Sequence, residues 1–194
     1  MIIIIGTVLL AYLLGSISTA IIVCKLFGIL DPRQHGSCNP GATNVLRISG
    51  KIPAIITLFG DIIKGMLAIW IARSIKIESI ELSCVMLSIF IGHLFPIFFR
   101  FQGGKGVATA LGIITALSWT LGGLSVITWI LVVAATRISS LGAIVTALAA
   151  PFYTWWLLDS LSTYTVMLIS MLLLIRHKDN IVRMIQNSKT KVNR

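Results

Sequence analysis

The sequence carries little charge for its length, and very little of that charge is acidic. Only 11% of its 194 residues are charged, with 6 acidic side chains against 16 basic ones. A soluble domain usually has about 25% charged residues, so an ordinary water-facing surface is excluded. Cysteine is scarce as well. Cys24, Cys38 and Cys84 are odd in number and show no C-x-x-C spacing, which offers neither a disulfide framework nor a zinc site. Cys24 and Cys84 read as small apolar packing residues. No internal repeat or low-complexity tract stands out. Met1-Ile2-Ile3-Ile4-Ile5 lacks a positive n-region, and no small-residue cleavage site closes the stretch. It is therefore expected to be a retained first span rather than a secretory signal.

Hydrocarbon takes the place of charge. The chain is 57% hydrophobic with a mean hydropathy of +0.98. A core this small cannot hide so much apolar surface, so lipid must be the solvent for much of it. A bilayer core takes about 20 apolar residues per helix. Apolar runs cover about 2–23, 52–72, 81–99, 107–136, 140–158 and 161–175. The run 107–136 is too long for one span and contains Gly122-Gly123, which predicts a break there and spans at 107–121 and 122–136. The expected fold is all-α: a single polytopic membrane domain of about seven transmembrane helices, with the N-terminus outside and the C-terminus cytoplasmic.

Charge position favours seven spans over six. The inside segments would be 24–51, 100–106, 137–139 and 176–194. They hold Lys25, Arg33, Arg47, Lys51, Arg100, Lys105, Arg137, Arg176, Lys178, Arg183, Lys189, Lys191 and Arg194, thirteen of the 16 basic residues. That asymmetry fits positive-inside topology and attraction to anionic lipid, and equally an anionic substrate. A net charge of +10 in a soluble protein would raise nucleic-acid binding; confined to membrane loops, it does not. The polar tail from Ile181 reads as an interfacial helix that frays.

Three loop segments have chemistry beyond topology. In Gly36-Ser37-Cys38-Asn39-Pro40-Gly41-Ala42-Thr43-Asn44-Val45-Leu46-Arg47, the glycines allow close backbone approach to a ligand. Ser37, Asn39, Thr43 and Asn44 are side-chain donors, Pro40-Gly41 can open a helix, and Arg47 supplies a fork suited to phosphate. In Gly92 to Thr109, the run Gly103-Gly104-Lys105-Gly106 leads straight into an apolar helix, bringing amides and an ammonium together at a helix N-terminus. It is not a Walker A loop, because Gly106 rather than Ser or Thr follows Lys105. His93 lies in an apolar stretch and reads first as a packing residue. In Arg176-His177-Lys178-Asp179-Asn180-Ile181-Val182-Arg183, an interfacial anchor is the ordinary reading, but His177, Asn180 and Arg183 share a helical stripe. Asp61 and Lys64 lie within a span at i, i+3, where a structural ion pair and a site role weigh about equally. Arg137 with Ser139 and Ser140 forms a further polar island.

Together these segments resemble the bacterial acyl-phosphate:glycerol-3-phosphate acyltransferases of the PlsY type. The resemblance runs from Ala11-Tyr12-Leu13-Leu14-Gly15-Ser16 to Arg183, and the stretch Gly92–Thr109 is its most specific part. Four positions depart from the family pattern as we read it. Cys38 stands where glycine is usual, Ser18 where proline is common, and Ile138 where tyrosine is common. The tail lacks a glycine and an acidic residue after the third motif.

The resemblance implies transfer of a fatty acyl group from acyl phosphate to the 1-hydroxyl of sn-glycerol 3-phosphate, giving lysophosphatidate and phosphate, without cofactor or metal. It implies Lys105, Ser37, Arg47, His177 and Asn180 as catalytic. Gly36, Asn39, Gly41, Thr43, Asn44, Gly103, Gly104, Gly106 and Ser140 would bind substrate phosphate, with His93, Asp61, Lys64 and Arg137 in support. The expected setting is the cytoplasmic face of the bacterial inner membrane, linked to an acyl-phosphate-forming enzyme and to a second acyltransferase. The residues five after His35, His93 and His177 are Pro40, Phe98 and Val182, so the His-x-x-x-x-Asp pair of many CoA-dependent acyltransferases is absent. A transporter for a phosphorylated solute remains the alternative, although the missing repeat and the one-sided motifs weigh against it.

Overall fold

The computed structural model describes residues 1–192, with side chains described as far as Gln186. The charges of Lys189, Lys191 and Arg194 and the end of the tail therefore lie outside the described side chains. Ten α-helices and one 3₁₀ turn account for the regular structure among the described residues: α1 (Ile2–Gly15), α2 (Thr19–Leu26), α3 (Ala42–Ser49), α4 (Lys51–Ser74), α5 (Ser79–Leu94), the turn Ile97–Phe99, α6 (Val107–Leu117), α7 (Trp119–Thr136), α8 (Ser139–Leu157), α9 (Ser160–Arg176) and α10 (Lys178–Val192). The Ile-rich start of α1 would favour a strand in water. In hydrocarbon every N–H and C=O must be satisfied within its own segment, and the helix wins.

Four helices are individually long and apolar enough to cross a bilayer: α4, α5 with its 3₁₀ extension, α7 and α8. The number becomes six if α1–α2, bent by 44°, and α9–α10, bent by 53°, each count as one span. At about 1.5 Å per residue, the 11 residues of α6 reach only about half a bilayer core.

Two of the expected spans differ in detail. The run 2–23 is broken at Ser16–Ser18, and the break in 107–136 falls at Ser118 rather than at Gly122-Gly123. Ser118 is extended, and its hydroxyl accepts the Leu121 N–H at 3.4 Å, capping α7. The extended backbone at Ser118 ends α6, and its side chain suits the first position of a new helix. Gly122 lies inside α7, where Thr115 of α6 packs so closely that a Cβ would collide with its hydroxyl.

Packing rests on two glycine crossings. Gly15 of α1 and Gly92 of α5 face each other, as do Gly65 of α4 and Gly112 of α6; a Cβ at any of the four would strike backbone on the opposite helix. Small residues let membrane helices approach this closely. Phe90, Met86, Ile89, Ile69, Ile113 and Leu121 fill the space between them. The outer faces are apolar, with Leu131, Phe152 and Met171 exposed as lipid-facing residues are. Trp119, Trp155 and Trp156, at the start of α7 and the end of α8, are 70–76% exposed and form an aromatic belt at the end of the bundle opposite the motif loops.

The Asp61–Lys64 pair repairs the break in the first span. Lys64 Nζ bonds the Asp61 carboxylate at 2.8 Å and also donates to the carbonyls of Gly15 (3.2 Å) and Ile17 (2.7 Å), which the bend leaves without helical partners. Asp61 accepts in turn from Thr19 at the start of α2, at 3.1 Å. Both charges are almost fully buried. Of the two readings, the structure carries the ion pair.

Candidate functional site

Four separate stretches of chain meet at the end of the bundle away from the tryptophans. The first is the loop from Phe27 to Gly41. Asn44, in the first turn of α3, folds this loop over itself: its amide donates to Pro32 and His35 carbonyls, both at 2.9 Å, and its carbonyl accepts the Ser37 N–H at 2.7 Å. Expected among the phosphate donors, Asn44 is buried and has both amide hydrogens engaged. It shapes the loop. Gly36, at φ +67°, sits against Asn44 so tightly that a Cβ would meet its Oδ1.

Around that strut the other residues of the segment are open. Ser37, Asn39 and Gly41 are half-buried, while Thr43 and Arg47 are exposed on α3. Cys38 holds φ +56°, a left-handed conformation that costs a side-chain-bearing residue roughly 1–2 kcal/mol. A glycine there would escape that cost and give back about 0.5–1 kcal/mol in chain entropy. Cys38→Gly is therefore expected to keep activity and to raise the thermal unfolding midpoint slightly. A clear fall in the midpoint would contradict the strain.

The second stretch is the glycine loop. Gly103 and Gly104 are buried beneath the end of α5, where His93 carbonyl accepts the Gly104 N–H at 3.3 Å. The His93 ring fills the space beside Gly104, and an added Cβ there would strike Nε2 while lying 3.1 Å from the Pro40 carbonyl. Glycine loop and first loop thus touch at Gly104 and Pro40. His93 is a wedge beneath the loop, steadied by Asp61, whose carboxylate lies 3.7 Å from Nδ1. Gly104→Ala is expected to lower activity on the order of tenfold by displacing the loop. His93→Ala in the same chain should restore part of that loss. Additive losses in the double variant would rule out the wedge.

Gly106, at φ +88°, opens α6. The positive end of the α6 dipole thus faces the loop.

The third stretch is the α9–α10 junction. His177 is buried, and its Nδ1 lies 2.8 Å from the Leu173 carbonyl. A carbonyl can only accept, so Nδ1 carries the hydrogen and Nε2 of the neutral ring keeps its lone pair. Asn180, one turn on, accepts from Lys105 Nζ through Oδ1. Lys105 is half-buried; burial, then the charge of Arg183, hold its ammonium below the usual lysine range, with Asp179 opposing them. Lys105 thus joins Asn180, 75 residues further along the chain, and its neighbour His177 in one cluster.

Arg176 heads the third motif segment but is not among the expected site residues, and it clamps the glycine loop. Its Nη2 donates to Gly103 and Gly104 carbonyls at 3.0 and 3.2 Å, its Nε reaches Gly104 at 3.3 Å, and the guanidinium lies 5.6 Å from the Phe95 ring centroid. In a planar trans peptide the C=O and the following N–H point opposite ways. Gathering the Gly104 carbonyl on Arg176 therefore turns the Lys105 N–H away from it. In the sequence it reads as an interfacial anchor at the head of the third motif.

The fourth stretch joins α7 to α8. Thr43 and Ser139 hydroxyls lie 3.4 Å apart, which brings this junction beside α3. Ser140 is half-buried next to Ser139, and Arg137 is exposed with φ +60°. Among the described residues no three His, Cys, Asp or Glu side chains gather as metal ligands do.

Comparison with known proteins covers almost the whole chain. Residues 5–187 match the family model described as glycerol-3-phosphate acyltransferase. Glycerol-3-phosphate acyltransferases of Pectobacterium carotovorum and Shigella flexneri are each 50% identical over 187 residues, covering 96% of this chain and 88% and 91% of theirs. That of Photorhabdus laumondii is 49% identical, with 96% and 85% covered. Among solved structures, PlsY, an integral membrane glycerol 3-phosphate acyltransferase, superposes in its glycerol 3-phosphate form with a TM-score of 0.91 at 36% identity, over 95% of this chain and 92% of that one. Its lysophosphatidic acid form gives 0.88 at 34% identity over the same shares. An all-helical multi-pass fold, a basic glycine loop and a match this long agree with one another: the chain belongs to the glycerol-3-phosphate acyltransferase family.

Proposed function

We propose that this protein moves a fatty acyl group from acyl phosphate to the 1-hydroxyl of sn-glycerol 3-phosphate. The observation that carries the reading is the cluster of Lys105, Asn180 and His177 on a glycine loop clamped by Arg176. It is a compact cationic site at the head of an apolar bundle, suited to a substrate with a phosphate at one end and a long chain at the other.

Acyl phosphate is already an activated mixed anhydride, so positioning two anions is the main task. The glycerol hydroxyl oxygen attacks the acyl carbonyl carbon, the carbon–oxygen bond to phosphate breaks, and inorganic phosphate leaves with the bonding pair. The hydroxyl proton passes to the phosphate that departs, and the Nε2 lone pair of His177 is a chemically suitable carrier. Lys105 and the amides of Gly103, Gly104 and Gly106 hold one phosphate and stabilise developing negative charge. Ser37, Asn39, Thr43 and Arg47 hold the other, with Gly41 and Ser140 at the edge. Gly36, Asn44, His93 and Arg176 position these groups, Asp61 and Lys64 support the helices behind them, and Arg137 adds positive charge nearby.

In the membrane we place α1–α2, α4, α5, the short α6, α7, α8 and α9 as seven passes. The site then faces the cytoplasm of the bacterial inner membrane, a reading supported by the basic residues from Lys25 to Lys51, Arg100, Lys105, Arg137 and Arg176 to Arg183 at that end. By their chemistry, an enzyme that makes acyl phosphate must supply the donor, and a second acyltransferase is the natural consumer of lysophosphatidate.

A paired assay tests the reading. Purified protein with acyl phosphate and labelled glycerol 3-phosphate is expected to form lysophosphatidate without metal, ATP or CoA. Uptake of the label into proteoliposomes with acyl phosphate untouched would instead establish a transporter.

A further inference from the structure

The turn between α5 and the glycine loop has features the acyl transfer does not use. A cavity of about 480 Å³ opens between this turn and the loop after α2, lined by Arg33, Gln34, Phe98, Phe99, Arg100 and Gln102. None of these residues belongs to the acyl-transfer site. Arg100 and Phe101 both hold positive φ, 55° and 59°, a region side-chain-bearing residues seldom visit. The turn is nevertheless firmly closed: Phe101 N–H donates to Pro96 at 2.9 Å and Gln102 N–H to Phe99 at 3.1 Å. Backbone held this way tends to serve a use.

The two arginines are held differently. Arg33 is clasped by Asp31 through Nε at 3.1 Å and Nη2 at 2.6 Å, and its Nη1 reaches the Phe99 carbonyl at 3.4 Å. That clasp keeps the Asp31 carboxyl below the usual carboxylate range, so the pair adds little net charge. Arg100 is exposed and has no hydrogen-bond or ion-pair partner among the described residues. Beside it Phe95, Ile97, Phe98 and Phe101 are 43–58% exposed, an apolar patch that water covers poorly.

We propose that this cavity seats the phosphate headgroup of an anionic phospholipid, with Arg100 on the phosphate and the acyl chains along Phe98 and Phe101. One uncompensated guanidinium calls for an anion, and the adjoining phenyl rings call for hydrocarbon attached to that anion. A soluble phosphate would satisfy only the first. Gln102 adjoins Gly103, and Gln34 lies two residues before Gly36. A lipid seated between them braces both phosphate-handling segments, so anionic lipid is expected to raise turnover. That consequence rests on the acyltransferase reading; binding itself does not.

The test uses the full chain in nanodiscs of phosphatidylcholine, alone or with phosphatidylglycerol. Retained lipid is read by native mass spectrometry and acyl transfer by initial rate. Arg100→Gln is expected to retain phosphatidylglycerol about fivefold less well, the equivalent of about 1 kcal/mol for one arginine at an anionic surface. It should also lose the rate rise that phosphatidylglycerol gives the wild type, while its rate in phosphatidylcholine and its thermal midpoint stay unchanged. Arg100→Lys should keep most of the response. Equal retention by wild type and Arg100→Gln would overturn the proposal. So would capture of inorganic phosphate at Arg100 without any preference for phosphatidylglycerol. If no acyl transfer occurs in either lipid, the acyltransferase reading fails while the retention result still decides the lipid site.

Discussion

Replacing Lys105 with alanine is expected to lower kcat/KM by about 100- to 1,000-fold, the loss typical of one preorganised donor aimed at developing charge. The ammonium is held by Asn180, sits at the mouth of the glycine loop, and is half removed from water. Such a group is worth more than the same charge in solution, because less solvent competes for it. Folding should survive: the substitution relieves the burial of a cation, so the thermal midpoint is expected to hold or rise. A variant that loses activity only in proportion to lost folded protein would count against a catalytic role. The lowered pKa of Lys105 sets a second expectation. Only the protonated amine binds phosphate, and a group whose pKa is depressed loses its proton at lower pH. Activity should therefore fall on the alkaline side before an ordinary lysine would titrate. Lys105→Arg should move that limb to higher pH, whatever its absolute rate.

Removing one member of the Asp61–Lys64 pair is expected to destabilise the protein by about 3–5 kcal/mol, because the partner charge is left buried alone. Lys64→Met strands the Asp61 carboxylate and also frees the Gly15 and Ile17 carbonyls at the bend. Asp61→Leu strands the ammonium, though those two carbonyls still receive it, so its cost should be the smaller. The double variant should recover the part of the loss that comes from a stranded charge, but not the part that comes from the Gly15 and Ile17 carbonyls, which stay unpaired. Thermal unfolding in one detergent across the four proteins reads this directly. Losses that simply add would mean that the two charges do not hold each other.

The sequence exposed the motifs well because each is contiguous: Gly103-Gly104-Lys105-Gly106 and Gly36 through Arg47 are legible as runs of small and polar residues in a greasy chain. Asp61 and Lys64 were legible as a pair from their spacing. Their work at the bend was not, since the atoms they reach are main-chain carbonyls of Gly15 and Ile17, which any residue type supplies. Asn44 and Arg176 show the same limit. Their partners are backbone groups up to 12 and 73 residues away, and a side chain that serves backbone has no complementary letter to betray it. The sequence points to the glycines rather than to Ser118 for the helix break, because glycine freedom is visible in any sequence, whereas a cap depends on which N–H groups the fold leaves open.

The depth of the glycine loop has a kinetic consequence. On the proposed seven-pass arrangement, a helix of only 11 residues can join the two sides only if the loop at its head, with Gly103 and Gly104 buried, dips toward the acyl tail. The tail need not come up to meet it. An acyl phosphate can then react without its chain leaving the hydrocarbon, and no free energy of extraction from lipid, about 0.8 kcal/mol per CH₂, enters the barrier. The concentration the enzyme senses is the mole fraction of acyl phosphate in the surface around it. Diluting the donor with inert lipid at constant bulk concentration should slow the reaction, and glycerol 3-phosphate alone should follow ordinary solution saturation.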